Sequence, residues 1–347
     1  MSTEANLNRH IGKPSSSAVR SRFVKGKRIL SGIQPSGKVH LGNYFGAMKH
    51  HIALQDNNRA LYFIADYHAL TTVQDASVLH NNILDVAKDY LAIGLDPAKT
   101  IFFKQSDIPQ IFELTWILTT LTPMGLLERC HSYKDKIARG LTPNHGLFAY
   151  PVLMAADILA YDAEIVPVGK DQKQHIEVTR DIATKFNLTY RETLVIPNEY
   201  TIDNYALVPG IDGQKMSKSY GNTIELFEDE KVLRKKVMRI KTDSTPVEEP
   251  KDPSTCSVFA LYSLFASEDE KNMMKQRYLE GGMSYKEAKD ALFEKIQAEF
   301  EPFREKRSAL ENDISYIKDV LRDGAVRARE IAQNTLDRVR NAVGVSF

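Results

Sequence analysis

Cysteine is nearly missing from this chain: among 347 residues only Cys130 and Cys256 occur. Two thiols cannot build a disulfide framework, a zinc ribbon or a cysteine-ligated iron–sulfur cluster. Such scarcity fits a reducing compartment, and the cytoplasm is the expected one. An excess of one charge is missing too. Lys and Arg number 46 against 45 Asp and Glu, a net charge of +1, so a chain swept non-specifically onto nucleic acid is excluded while a local basic patch is not. No apolar run approaches the roughly 20 residues of a membrane span, and no membrane partner is expected. The most hydrophobic stretch, Pro151 to Tyr161, is short and carries Asp157 in its middle. His50, His51 and His131 stand at no metal-ligand spacing with other donors, so no protein-bound metal is predicted. Tryptophan occurs once, and Trp116 reads as a core residue.

The length corresponds to about two domains. Residues 1 to 25 hold Ser15, Ser16, Ser17 and scattered Arg and Lys with almost no large apolar side chains, the composition of a disordered arm. An organellar presequence or a contact with a nucleic-acid backbone are the other readings of that segment. From Arg28 onward strands alternate with amphipathic helices. Arg28 to Ile33 is an apolar strand, and His40 to Gln55 has helical spacing through Leu41, Phe45, Met48 and Ile52. Leu61 to Ile64 is a second strand, Asp75 to Ile93 a helix, Thr100 to Phe103 a third strand, and Ile165 to Val168 another, followed by a helix from Gln172 to about Phe186. The pattern predicts an α/β fold with a parallel sheet covered on both faces. Residues 109 to 162 read as a helical insertion. We place the end of the α/β domain, residues 26 to 222, near Asn222, and a helical domain over residues 223 to 347.

Two segments carry chemistry. In the first, a strand runs into Gly32-Ile33-Gln34-Pro35-Ser36-Gly37, and a helix opens close to His40, Gly42 and Asn43. Amides at a helix start favour phosphate, Gly42 lets a nucleotide approach the backbone, and His40 and Asn43, three apart, share a face from which both can donate. The alternative is an ordinary strand–turn–helix connection with a polar cap. The second is Lys215-Met216-Ser217-Lys218-Ser219, with Gly210, Gly213 and Gly221 around it. Two ammonium groups on a glycine-flanked loop suit a mobile clamp that tightens as charge moves onto a leaving pyrophosphate. The alternative is a solvated basic loop.

Together these segments resemble the two signatures of the class I aminoacyl-tRNA synthetases, and their spelling resembles the tryptophanyl-tRNA synthetase family. The resemblance extends through Met154-Ala155-Ala156-Asp157-Ile158-Leu159 and Val166-Pro167-Val168-Gly169-Lys170-Asp171-Gln172-Lys173-Gln174-His175-Ile176-Glu177. It implies a Rossmann-like parallel sheet with a helical insertion and a C-terminal helical tRNA-binding domain. It also implies tryptophan–tRNA ligase activity, with ATP and Mg²⁺, L-tryptophan and tRNA(Trp) as ligands, and a homodimer with contacts from residues 109 to 162. Gln34, Pro35, Ser36, His40, Gly42 and Asn43 would hold ATP. So would Gly169, Lys170 and Asp171, with Asp171 on the ribose, and Val208 beside the adenine. Lys215, Met216, Ser217, Lys218 and Ser219 would clamp the triphosphate. Lys136 matches an additional phosphate-contacting lysine, whereas Ser132 departs from a Gln that some relatives carry near the substrate. Gln34, Lys136, Lys215 and Lys218 are the expected catalytic set.

The resemblance assigns tryptophan to Asp157, Met154, His68 and Gln172, and the residue types agree with that assignment. Met154 and Asp157 lie three apart on an apolar helix and share a face. A buried carboxylate costs several kcal/mol unless a donor meets it, an indole N–H is a donor with no acceptor capacity, and a thioether packs against rings. A tyrosyl-tRNA synthetase is the nearest competing reading. The lysine loop and the Lys173-Gln174-His175 run stand against it. A small nucleotidylyltransferase and a non-catalytic RNA- or tryptophan-binding paralogue are the others.

Overall fold

Strong apolar character in five short segments sets the centre of the molecule. A computed structural model describes residues 25–138, 144–169, 172–201 and 208–346, leaving aside the side chains of residues 131, 132, 135, 136 and 201. The expected arm, residues 1 to 25, lies outside the described residues but for its last position. The strands are β1 (Arg28–Ile33), β2 (Arg59–Ile64), β3 (Thr100–Lys104), β4 (Ile165–Val168) and β5 (Asn198–Thr201). They form one parallel sheet in the order β3-β2-β1-β4-β5. β1 and β2 run in step from Arg28 opposite Arg59 to Ile33 opposite Ile64. The Rossmann-like class is as expected. β5 was not anticipated, because Asn198-Glu199-Tyr200-Thr201 mixes polar residues into four positions.

Side chains alternate across a strand, and the two faces feed two cores. Ile29, Tyr62 and Phe102 enter one, with Met48, Tyr90, Leu292 and Phe300. Leu30, Leu61, Phe63 and Phe103 enter the other, with Leu114, Ile158 and Phe186. The β1–β2 crossover is helical from residue 41 to 54, its Tyr44–Met48 turn wound as a π-helix. The helix Ala76–Ala92 is capped by Asp75, whose carboxylate accepts from the amides of Ser77 and Val78. Four helices, Gln110–Leu121, Met124–Glu128, His131–Ala138 and His145–Leu159, connect β3 at the sheet edge to β4 beside β1. Strand order therefore reverses between β1 and β4, the point where open α/β sheets bind ligands.

Trp116 corrects an expectation. It is 70% exposed, on one face of Gln110–Leu121 with the half-exposed Phe112. Among the described residues no helix is long and apolar enough to cross a membrane.

Helices Tyr285–Glu311 and Ile314–Val343 close both cores. Arg307 donates to Asp89 at 2.6 Å and to Asp85 at 3.1 Å, and Lys88 reaches Glu311 at 2.6 Å. Burial pushes the Asp89 carboxyl up to about 6 even though the Arg307 charge pulls it down. The final helix contributes Ile317 and Leu321 to the first core but Ala325, Ala332 and Leu336 to the second. It thus crosses from face to face at β3, an edge strand that would otherwise be open. Gly324 makes the crossing possible, since a Cβ there would lie 1.9 Å from the Phe102 carbonyl oxygen. Replacing it by alanine should lift the helix from the strand and lower stability by about 2–3 kcal/mol, read as a fall in the urea midpoint.

Candidate active site

The helix His145–Leu159 starts where the Asn144 side chain caps the Leu147 amide at 2.8 Å. Its face carries Tyr150, Met154 and Asp157 into a cavity of about 400 Å³ at the carboxyl ends of β1 and β4. Gly32, Phe63 and Val168 form the apolar walls, with Gln34, Gly169 and Gln172 at the polar margin. Gly32 has a steric reason, because a Cβ would meet the Phe63 ring at 2.6 Å.

Asp157 is 2% exposed. His68 Nε2 lies 2.8 Å from its Oδ2, and the Gln105 amide nitrogen lies 2.9 and 2.8 Å from its two oxygens. Burial raises the Asp157 pKa; the His68 and Gln105 contacts oppose that rise, and the Asp66 charge adds to it. Three of the four expected tryptophan residues, Met154, Asp157 and His68, thus stand together, and Gln172 lines the same cavity. Sequence reasoning missed two further residues of the cavity lining, Tyr150 and His175, and Gln105 behind Asp157. Tyr150 is one helical turn before Met154, so periodicity could have found it. His175, whose Nε2 is 2.6 Å from the Tyr150 hydroxyl, sits within the recognised run. Gln105 follows β3 with no motif around it.

The two lysine-loop and glycine-turn segments meet. Lys218 Nζ donates to the Gly37 carbonyl at 2.8 Å and reaches Ser36 Oγ at 3.5 Å. Gly37 has φ +127°, a conformation other residues rarely adopt. Burial depresses the Lys218 ammonium to about 8, against the pull of Glu225 and Asp89. Met216 is buried, and its amide donates to the Val208 carbonyl at 2.8 Å. Asn222, also missed, is the post of this loop. Its Oδ1 accepts from the Ser217 amide at 2.8 Å while its Nδ2 donates to Asp212 at 2.8 Å and to the Lys215 carbonyl at 3.1 Å. Ser217 and Ser219 hydroxyls are 2.9 Å apart.

His40 and Asn43 are more committed than expected. The Asn43 Oδ1 accepts from the His40 amide at 3.2 Å, closing a box at the helix start. The His40 imidazole is buried, and burial followed by the Lys218 charge lowers its pKa to about 4. It is therefore neutral at pH 7, and its buried Nδ1 finds no partner among the described residues. The close approach that Gly42 permits is made by this ring, 2.9 Å from a Cβ at that position. Pro35 is buried, and its carbonyl accepts from Asn82 at 3.2 Å. Lys170 and Asp171 lie outside the described residues, as do the side chains of Ser132 and Lys136.

The sequence pattern of the tRNA synthetases class I (W and Y) matches residues 25–301. The chain is 56% identical to a tryptophan–tRNA ligase of Rhodopirellula baltica and 53% identical to one of Fusobacterium nucleatum. Each alignment spans 92% of this chain and 99% or 98% of the relative. A crystal structure of a Campylobacter jejuni tryptophanyl-tRNA synthetase complexed with ADP and tryptophan superposes with a TM-score of 0.84 at 48% identity, covering 91% of this chain and 99% of that one.

The lowered His40 pKa has a consequence for acid stability. An imidazole titrating near 6.5 unfolded and about 4 folded lends stability that is complete above pH 6.5 and is lost as pH falls through 4. His40→Asn should therefore flatten the acid limb by about 2–3 kcal/mol, seen by comparing urea midpoints of both proteins at neutral and acid pH.

Proposed function

The chain belongs to the class I tRNA synthetases for tryptophan and tyrosine and is a tryptophan–tRNA ligase, and we propose how its own residues divide the two steps of that reaction. In the first, a carboxylate oxygen of L-tryptophan attacks the α-phosphorus of ATP, and the bond to the bridging oxygen breaks as pyrophosphate leaves. In the second, the terminal ribose hydroxyl of tRNA(Trp) attacks the carbonyl of the adenylate and AMP leaves. The substrate carboxylate is already ionised, so no protein nucleophile is required. Catalysis is positioning and charge stabilisation.

The observation that carries this reading is the buried Asp157 carboxylate, which opens into an apolar cavity of about 400 Å³. Asp157 accepts the indole N–H, Met154, His68 and Phe63 hold the ring, and Tyr150 and Gln172 face the amino-acid end. A pocket that must satisfy a polar group can reject an analogue lacking the partner by about 10⁴–10⁵, so phenylalanine is excluded without a second, editing step. Gln34, Pro35, Ser36, His40, Gly42 and Asn43 hold the nucleotide on one side, with Gly169, Lys170, Asp171 and Val208 on the other. Lys218, now on the Gly37 carbonyl, transfers that bond to the phosphates, joined by Lys215, Met216, Ser217, Ser219 and Lys136. Bound with the nucleotide, Mg²⁺ would supply further charge neutralisation beside Lys215 and Lys218. Among the described residues no group of three or more His, Cys, Asp and Glu is placed to hold a metal.

The helical segment 223–347 takes the anticodon side of the tRNA, and the protein works in the cytoplasm as a homodimer. Support for the dimer comes from the half-exposed Leu70 and Phe112, which line one groove, and the more exposed Trp116 one turn on from Phe112, apolar surface that suits a second copy.

Asp157→Asn should lower kcat/KM for tryptophan about 10²-fold and narrow its margin over phenylalanine, measured by amino-acid-dependent ATP–pyrophosphate exchange. Lys218→Ala should lower kcat by about 10² with the tryptophan KM unchanged. An Asp157→Asn enzyme with unaltered discrimination would remove the recognition role. Trp116→Glu should shift the sedimentation coefficient from dimer to monomer.

A further inference from the structure

Gln105 belongs to no motif, yet it is 1% exposed and ties together two parts of the cavity wall, the segment carrying His68 and the helix carrying Asp157. It leaves the carboxyl end of β3, away from the β1–β4 crevice, and is not itself among the residues lining the cavity. Its Oε1 accepts from the amides of Tyr67 at 3.1 Å and His68 at 3.4 Å. Those two donors settle which end of the amide is which, since a flipped side chain would set N–H against N–H. The nitrogen is therefore the end that meets Asp157, at 2.9 Å from Oδ1 and 2.8 Å from Oδ2. On Oδ2 it shares the carboxylate with His68 Nε2 at 2.8 Å.

We infer that Gln105 is a specificity-positioning residue, which holds the Asp157 carboxylate as a pure acceptor aimed at the ring N–H of the substrate. The inference rests on reading the cavity as the tryptophan site. One amide does two things at once. It anchors the main chain of the segment that carries His68, and it supplies a donor to the carboxylate that His68 also meets. The charged and titratable groups around Asp157 are His68 and Asp66 from the Asp66–Ala69 turn and Tyr161 beyond its own helix. Asp66 is itself held by the Ser106 amide and hydroxyl, next to Gln105 in the chain. Burial already favours the protonated acid at Asp157, and the Gln105 N–H is one of the contacts that oppose it. Without that donor the carboxyl takes up a proton more readily. It then presents an O–H to a substrate that also brings a donor, and recognition fails.

Two near-isosteric variants separate this role from simple packing. Gln105→Met removes both ends of the amide. Gln105→Glu keeps an oxygen for the Tyr67 and His68 amides but replaces the donor by a carboxyl. The expected result is a KM for tryptophan raised about tenfold in each at pH near 7.5, with the KM for ATP within about twofold of wild type. The pH dependence of the two variants should diverge as pH falls from there. The Gln105→Met enzyme weakens towards tryptophan as pH falls, because Asp157 protonates. The Gln105→Glu enzyme recovers as pH falls, because the introduced carboxyl takes the proton and donates it to Asp157. A tryptophan KM that follows the wild-type pH profile in both variants overturns the inference. So does loss of the folded far-ultraviolet circular dichroism spectrum in both, which would assign Gln105 to the scaffold alone. Inhibition by the analogue with sulfur in place of the indole N–H tells this failure from failure of the site reading. If wild type binds that analogue as tightly as tryptophan, Asp157 does not read the ring. If wild type rejects it and both variants reject it equally, the inference about Gln105 alone is wrong.

Discussion

A carboxylate withdrawn from water is the constraint around which this molecule is arranged. Transferring such a group into an apolar helix face costs several kcal/mol unless donors replace its hydration, and Asp157 sits at 2% exposure. Two side chains from two different parts of the fold supply those donors. His68 follows β2 and Gln105 follows β3, so the parallel register of β2 and β3 decides whether they arrive together. Ala60 to Ile64 stand opposite Thr100 to Lys104 residue by residue, and a slip of one position would turn every side chain to the other face. The sheet does more than carry the site; it sets the hydrogen bonds that make an acidic group tolerable there.

The lysine loop follows a different economy, with its charge docked on the glycine turn. Lys218 rests on a main-chain carbonyl of the glycine turn, and its depressed pKa of about 8 records partial withdrawal from solvent. Each partner in this contact is fixed from behind: Asn222 ties Ser217, Lys215 and Asp212 together, and the His40–Asn43 box sets the start of the helix. An anionic ligand entering here finds its donors already assembled, which is the condition for electrostatic preorganisation.

Much of this was legible before any coordinates. Strands and crossover helices followed from apolar runs and 3.6-residue periodicity, and Asp157 stood out as an acid inside an oily helix. The two loop segments stood out because glycine, proline and lysine mark loops of special geometry. What stayed hidden shares a physical cause. Gln105 and Asn222 act through buried amides, whose value lies in partners distant in sequence, 52 residues away for Gln105 and Asp157. An isolated glutamine after a strand carries no pattern. β5 escaped because four mixed residues give no alternation. Trp116 was misplaced because a tryptophan in an apolar helix looks internal from sequence, although it faces outward with Phe112. The packing of the His40 ring against Gly42, 2.9 Å from where a Cβ would stand, also carried no sequence signal.

The passage of the last helix across β3 at Gly324 also imposes an order on how this chain becomes an enzyme. During synthesis β3 leaves the ribosome early, with its outer edge bare and two half-built cores on either side. Everything from the inserted helices to the lysine loop is made before the segment that seals it. A nascent chain in that interval presents an unpaired strand edge of the kind that recruits stray β partners.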